Sequence, residues 1–169
     1  STGTVTARLR VNSGALFDLA GKGGLADLTA GMLLRGGGGL SAKNIVDSVD
    51  QLGLTVSVNA GWDSTDISFS GPADSLEPIF DLLGRLVITP AFDQQELDSF
   101  KAQRVAAVKS EASDDATSVR LKAIETAFGT NPYGRPSRGT AASIAAVTRT
   151  DLLYFHSRYY TATNAELML

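Results

Sequence analysis

Gly24 to Gly39 reads Gly-Leu-Ala-Asp-Leu-Thr-Ala-Gly-Met-Leu-Leu-Arg-Gly-Gly-Gly-Gly. It constrains the fold more than any other stretch. Leu25, Leu28, Met32 and Leu33 recur at i, i+3, i+7 and i+8, which is one face of a helix. The glycine run after Arg35 predicts where that helix stops, since glycine takes the left-handed conformation a helix C-terminus needs. Gly21, Gly23 and Gly24 give the preceding loop freedom to enter the helix. Gly21-Lys22-Gly23-Gly24 lacks the spaced Gly-Lys-Ser/Thr ending of a phosphate-binding loop.

The flanking segments set the fold class. Val5, Ala7, Leu9 and Val11 alternate with Thr6, Arg8 and Arg10, a half-buried strand. Ser41 is a good N-cap for a helix through Ile45, Val46, Val49 and Leu52 that stops at Gly53. Residues 54–71 read as an antiparallel hairpin turning at Gly61-Trp62-Asp63-Ser64 and broken by Gly71-Pro72. Leu76 to Val87 form a strongly apolar helix with Pro78 in its first turns. Asp93 caps a long helix through Leu97, Phe100, Val105 and Val108. Ser113-Asp114-Asp115 kinks or interrupts it, and a further helix through Leu121, Ile124 and Phe128 ends at Gly129. Asn131 to Pro136 is a turn-rich connector. A short helical piece near 143–147 follows. Thr148 or Thr150 then caps a helix through Leu152, Phe155 and Tyr159, and 164–169 begins a strand. Strands and helices do not alternate regularly. The expectation is therefore α+β, an antiparallel sheet with helices packed on one face.

Composition bounds the function. With 169 residues, 43% of them hydrophobic, the chain can build one proper core. A formal net charge of -3 leaves no basic surplus to neutralise phosphates, which argues against nucleic acid as a partner. No apolar run is long enough for a membrane span. There is no cysteine, which excludes disulfides and Cys-based zinc sites, and there is a single histidine, His156.

The helix resembles the signature helix of the insulinase/pitrilysin metallopeptidases, which include the mitochondrial processing peptidase. That helix reads roughly Gly-Leu-Ala-His-x-x-Glu-His-Met-Leu-x-x-Gly. Gly24, Leu25, Ala26, Met32, Leu33 and Gly36 fall on its frame. The reactive positions do not: Asp27 stands at the first histidine, Ala30 at the glutamate and Gly31 at the second histidine. Other pieces follow in the family's order. Asp50-Gln51-Leu52-Gly53 resembles the end of its second helix, and Thr65-Asp66 the start of a paired strand. Pro90-Ala91-Phe92 resembles the opening of its long helix. Asn131-Pro132-Tyr133-Gly134-Arg135-Pro136, with Gly139, resembles its His-Pro-Tyr-Gly-x-Pro turn. Asp151-Leu152, Phe155 to Tyr160 and Asn164 resemble its ending. The resemblance implies residues 1–169 as one domain of the family's metallohydrolase fold, trimmed at both ends from a longer chain.

It also implies what is missing. The family holds zinc with two histidines and a distant glutamate, and one histidine cannot supply that set. Catalytic, cofactor-binding and metal residues are therefore expected to be none. Asp27, Ala30 and Gly31 are degenerate motif positions. Glu111 is the one weak candidate for the third ligand, and its bland reading is a solvated helix residue near Lys109 and Asp114. Asp27 alone cannot hold a metal that wants about four ligands, and its bland reading is a polar residue facing a solvated cavity. Substituting Gly31 is expected to be tolerated, because a helix-interior glycine costs about 1 kcal/mol relative to alanine. His156 reads as a structural or surface histidine, since no carboxylate at helical spacing orients it. Asp114-Asp115 lacks the further oxygens of a calcium loop. The functional expectation is a non-catalytic insulinase-type domain that shapes a substrate chamber and supports a catalytic, zinc-bearing subunit or domain acting on peptides. The alternatives are a free-standing binding or scaffold module, or a metallopeptidase with altered ligands at Asp27 and Glu111.

Overall fold

The computed structural model describes residues 3–129 and 131–169. Four strands form one antiparallel sheet in the order β4-β5-β1-β6. They are β1 (Thr4–Val11), β4 (Thr55–Ala60), β5 (Thr65–Pro72) and β6 (Ala165–Met168). The alternation expected from sequence sets the register. Ala7 lies opposite Phe69 and Leu9 opposite Ile67, all pointing inward. Arg10 lies opposite Asp66 on the outer face, where its Nε donates to the carboxylate at 2.9 Å. Thr6 and Ser70 share a hydrogen bond of 2.9 Å on the same polar face. That face stays in water, and the helices cover the other.

The helices are α1 (Leu25–Met32), α2 (Ala42–Gln51), α3 (Leu76–Ile88), α4 (Gln94–Ala112), α5 (Asp115–Phe128), α6 (Ala141–Ala146) and α7 (Arg149–Tyr159). Their starts follow local chemistry. Ser41 Oγ accepts from the Asn44 amide, Asp93 from those of Gln95 and Glu96, and Asp114 from that of Thr117. Thr140 and Thr148 each form a reciprocal capping box, with Ser143 and Asp151 respectively.

α1 is the central element. The sequence predicts one buried face, but Leu25 to Ala30 and Met32 are all buried. The reason is position: α1 packs against β4, α4 and α7 together, so little of it meets solvent. One contiguous cluster joins Leu25, Leu28 and Met32 to Phe69, Leu97 and Phe155.

The glycine run does more than stop α1. A 3-10 turn at Leu33–Arg35 leads into two short strands, β2 (Gly36–Gly37) and β3 (Leu40–Ser41), paired antiparallel. Gly38 packs so closely on Arg85 that a Cβ would lie 2.4 Å from that side chain. The glycines thus let a tight hairpin sit against α3.

Candidate functional site

The degenerate motif positions lie along α1, with Asp27 in its first turn and Gly31 near its end both facing α4. Asp27 is 7% exposed. Arg104 of α4 donates from Nη2 to Asp27 Oδ1 at 3.2 Å. Its Nε lies 2.9 Å from Oδ2, at an angle outside hydrogen-bonding geometry. Burial raises the Asp27 carboxyl above its usual range, Arg104 and Arg138 oppose the shift, and Glu111 adds to it. Asp27 is therefore a buried, paired carboxylate, and the solvated-cavity reading is corrected. The sequence shows the polar residue but not its partner 77 positions away.

Gly31 faces the Phe100 ring. A Cβ built there would lie 2.4 Å from Phe100 Cζ. The ring is held in turn by two guanidiniums. Arg35 and Arg104 place their Cζ atoms 4.3 and 4.8 Å from its centroid. Arg35 also donates to Gln103 at 2.9 Å. So the space a side chain at position 31 would need is filled by the ring, a tertiary contact that opposes the expected tolerance of substitution there. The helical propensity argument omits a tertiary contact. Ala30 is 1% exposed and packs in the core.

Glu111, near the C-terminal end of α4, lies within charge range of Asp27. It accepts from Arg138 Nη1 at 3.1 Å. It is solvated, as read, with 42% of its side chain exposed, and its charge partner is Arg138 of the 131–140 segment rather than Lys109 or Asp114. The structure brings together Asp27, Arg104, Glu111 and Arg138, two carboxylates facing two guanidiniums. This set does not fit a zinc ion. Both carboxylates are engaged by cations, no imidazole is near, and a ring fills the flank of Gly31. Among the described residues, no group of three or more His, Cys, Asp or Glu side chains is placed to hold a metal.

Asp18 is the residue that sequence reasoning missed. Its two oxygens accept the amides of Gly24 (2.7 Å) and Ala26 (2.8 Å), so a carboxylate from the preceding loop caps α1. Caps are sought next to the helix start, and Asp18 stands six residues before Gly24. The anion position at this glycine-rich loop is thereby taken by the chain itself. Lys22 lies 3.0 Å from Asp151 instead of pointing at a vacant anion site.

The 131–139 connector staples this region together. Asn131 Oδ1 accepts from the Tyr133 amide, and the Tyr133 hydroxyl donates to Asp63 at 2.6 Å. Its ring packs 5.5 Å from Trp62. Gly139, at φ 76°, touches Gly23 so closely that a Cβ would lie 2.1 Å from that carbonyl. His156 is structural, as read: Nε2 donates to the Val87 carbonyl at 2.8 Å, between Phe92 and Tyr160, and burial lowers its pKa. Asp114 serves as the cap of α5. No described helix is long and apolar enough to cross a membrane.

Comparison with known proteins agrees with this framework. The profile of the family described as Insulinase (Peptidase family M16) matches residues 1–141. The chain is 30% identical over 123 residues to an uncharacterised zinc protease of Mycobacterium leprae, covering 72% of this chain and 27% of that protein. Among solved structures, a peptidase M16 inactive domain from Pseudomonas fluorescens superposes with a TM-score of 0.90 at 28% identity, over 97% of this chain and 40% of that one. The first half of the periplasmic protease PqqL from Escherichia coli shares the fold, with a TM-score of 0.88 at 18% identity, over 97% of this chain and 36% of that one. The chain spans well under half the length of each. Its match across the signature helix, and most of the sheet and helices around it, shows that it belongs to the insulinase family, peptidase family M16.

Proposed function

We propose that this domain is a non-catalytic half of an insulinase-type peptidase. It shapes part of the peptide chamber and supports a catalytic domain or subunit that carries the zinc; no metal is bound on this half. One observation carries the reading. The scaffold of the signature helix is kept, while its reactive positions are built into a closed contact, with Asp27 on Arg104 and Gly31 on Phe100. Such a site serves packing and leaves no ligand free for a metal. The label of inactive domain on the Pseudomonas fluorescens structure supports the same reading. An altered-ligand peptidase would need Asp27 and Glu111 released from their arginines. A free-standing scaffold would need neither a partner nor a chamber.

The test is co-expression of the full parent protein with an insulinase-type protein of the same organism that carries an intact His-x-x-Glu-His helix. If the two halves lie in one chain, the isolated halves are mixed. Co-elution on sizing and faster cleavage of unfolded peptides are expected. Separate elution with no mutual effect on activity would replace this reading with the scaffold.

A further inference from the structure

A cleft of about 1460 Å³ opens beside the degenerate site. It exceeds the roughly 300–1,000 Å³ typical of small-molecule pockets and suits a polymer segment. Its walls are the β4–β5 turn, the end of α4, α5 and the 131–141 segment. Trp62, Val108, Leu121 and Ile124 give it apolar surface. None of the residues of α5 is buried, although that helix carries Val119, Leu121, Ile124 and Phe128.

The charge on these walls is opposite to that of the chain. Five cationic and two acidic side chains line the cleft, a surplus of three positive charges on a chain of net -3. Glu111 is taken by Arg138 at 3.1 Å and Glu125 by Lys122 at 2.8 Å. Arg135 donates to the Ala15 carbonyl and lies in charge range of Asp18. Lys109 and Arg120, both exposed, have no carboxylate partner among the described residues.

We infer that this cleft takes extended acidic peptide segments with interspersed apolar residues, and that Lys109 and Arg120 set the preference for negative charge. The inference rests on the peptide-chamber reading above. Leu121 and Ile124, at i and i+3 on α5, accept apolar side chains, and the two free cations pair with carboxylates beside them. A nucleic acid strand is the poorer fit. Among the described residues Trp62 is the one aromatic side chain lining the cleft, whereas strand binding uses successive stacking platforms.

The experiment measures fluorescence anisotropy of the protein with short labelled peptides of Leu, Ser and Gly that carry Glu, Gln or Lys at matched positions. The Glu peptide is expected to bind about tenfold more tightly than the Lys peptide at low salt, with the gap closing at high salt. Lys109→Gln with Arg120→Gln is expected to abolish the preference while leaving circular dichroism unchanged. Equal binding of Glu and Lys peptides would overturn the charge preference and leave the chamber reading standing. Binding of none of them would overturn both. A labelled oligothymidylate bound as tightly as the Glu peptide would overturn the choice of ligand class.

Discussion

Asp27 Oδ2 lies 2.9 Å from Arg104 Nε, joining α1 to α4 at the position where the family's signature helix places its first histidine. The ligand position has become half of a buried ion pair. Such a pair is weak evidence for net stability, but removing one partner strands a buried charge, at a cost of about 3–5 kcal/mol when burial is complete. Arg104 is partly exposed, with 28% of its side chain in solvent, so the lower end applies. Arg104→Ala should lower unfolding free energy by about 3 kcal/mol. Asp27→Leu with Arg104→Met should lose much less than the two single changes combined. Urea unfolding of the four proteins measures this coupling, and additive losses would show that the contact is incidental.

Gly31 gives the second expectation. Gly31→Ala should destabilise by about 1–3 kcal/mol, because the Phe100 ring must leave a position held by Arg35 and Arg104. Adding Phe100→Leu to Gly31→Ala should recover part of that loss. Propensity alone predicts a gain of about 1 kcal/mol for Gly31→Ala, so the sign of the change in thermal midpoint separates the two accounts.

These two contacts also mark where the sequence is legible. Residues that act within a few positions could be read directly. The alternation of Val5 to Val11 marks β1, Ser41 and Asp93 mark helix starts, and of the two candidates Thr148 and Thr150 the cap of α7 is Thr148. The break at 113–115 separates α4 from α5. Contacts between distant segments could not be read. Phe100 and Arg104 stand at i and i+4 on one face of α4, but nothing local says that they face Gly31 and Asp27. The β2–β3 hairpin was hidden because four glycines carry no periodicity. Phe92 is buried at φ 42°, an uncommon conformation held with Arg149 Nε donating to its carbonyl at 2.7 Å.

Asp18 predicts a pH dependence. Burial raises its carboxyl to about 6, although the Ala26 and Gly24 amides and Arg135 oppose the shift. An unfolded aspartate titrates near 3.9. Between these values the folded state holds the extra proton, so this group lowers stability as pH rises from about 4 to about 6. The loss is on the order of 3 kcal/mol at neutral pH. Asp27, also raised by burial, acts in the same direction. His156 is lowered by burial, so it opposes them by favouring unfolding below about 6.5. Asp18→Asn should flatten the fall in stability across this window, measured by urea unfolding at several pH values. Equal slopes in the two proteins would rule Asp18 out as its source.

Restoring the motif should not restore a metal centre. Asp27→His, Ala30→Glu and Gly31→His together would strand Arg104, place a carboxylate in the core at Ala30, and drive a ring into Phe100. Elemental analysis after dialysis against trace zinc should find far less than one zinc per chain in both the triple variant and the native protein. One zinc per triple-variant chain, with peptide cleavage, would show that the pocket can reopen and that the surrounding contacts are still suited to a metal.

The central claim is that chemistry resides on a partner half while this half supports it. It is tested most directly by cleavage of an unfolded peptide by the assembled protein with one motif altered at a time. Changing the partner's motif glutamate to glutamine should abolish cleavage. Glu111→Gln in this chain should leave kcat within about twofold, since its contact is an exposed ion pair with Arg138. Full activity with the partner's motif disabled, or loss of kcat from Glu111→Gln with the assembly intact, would contradict the account.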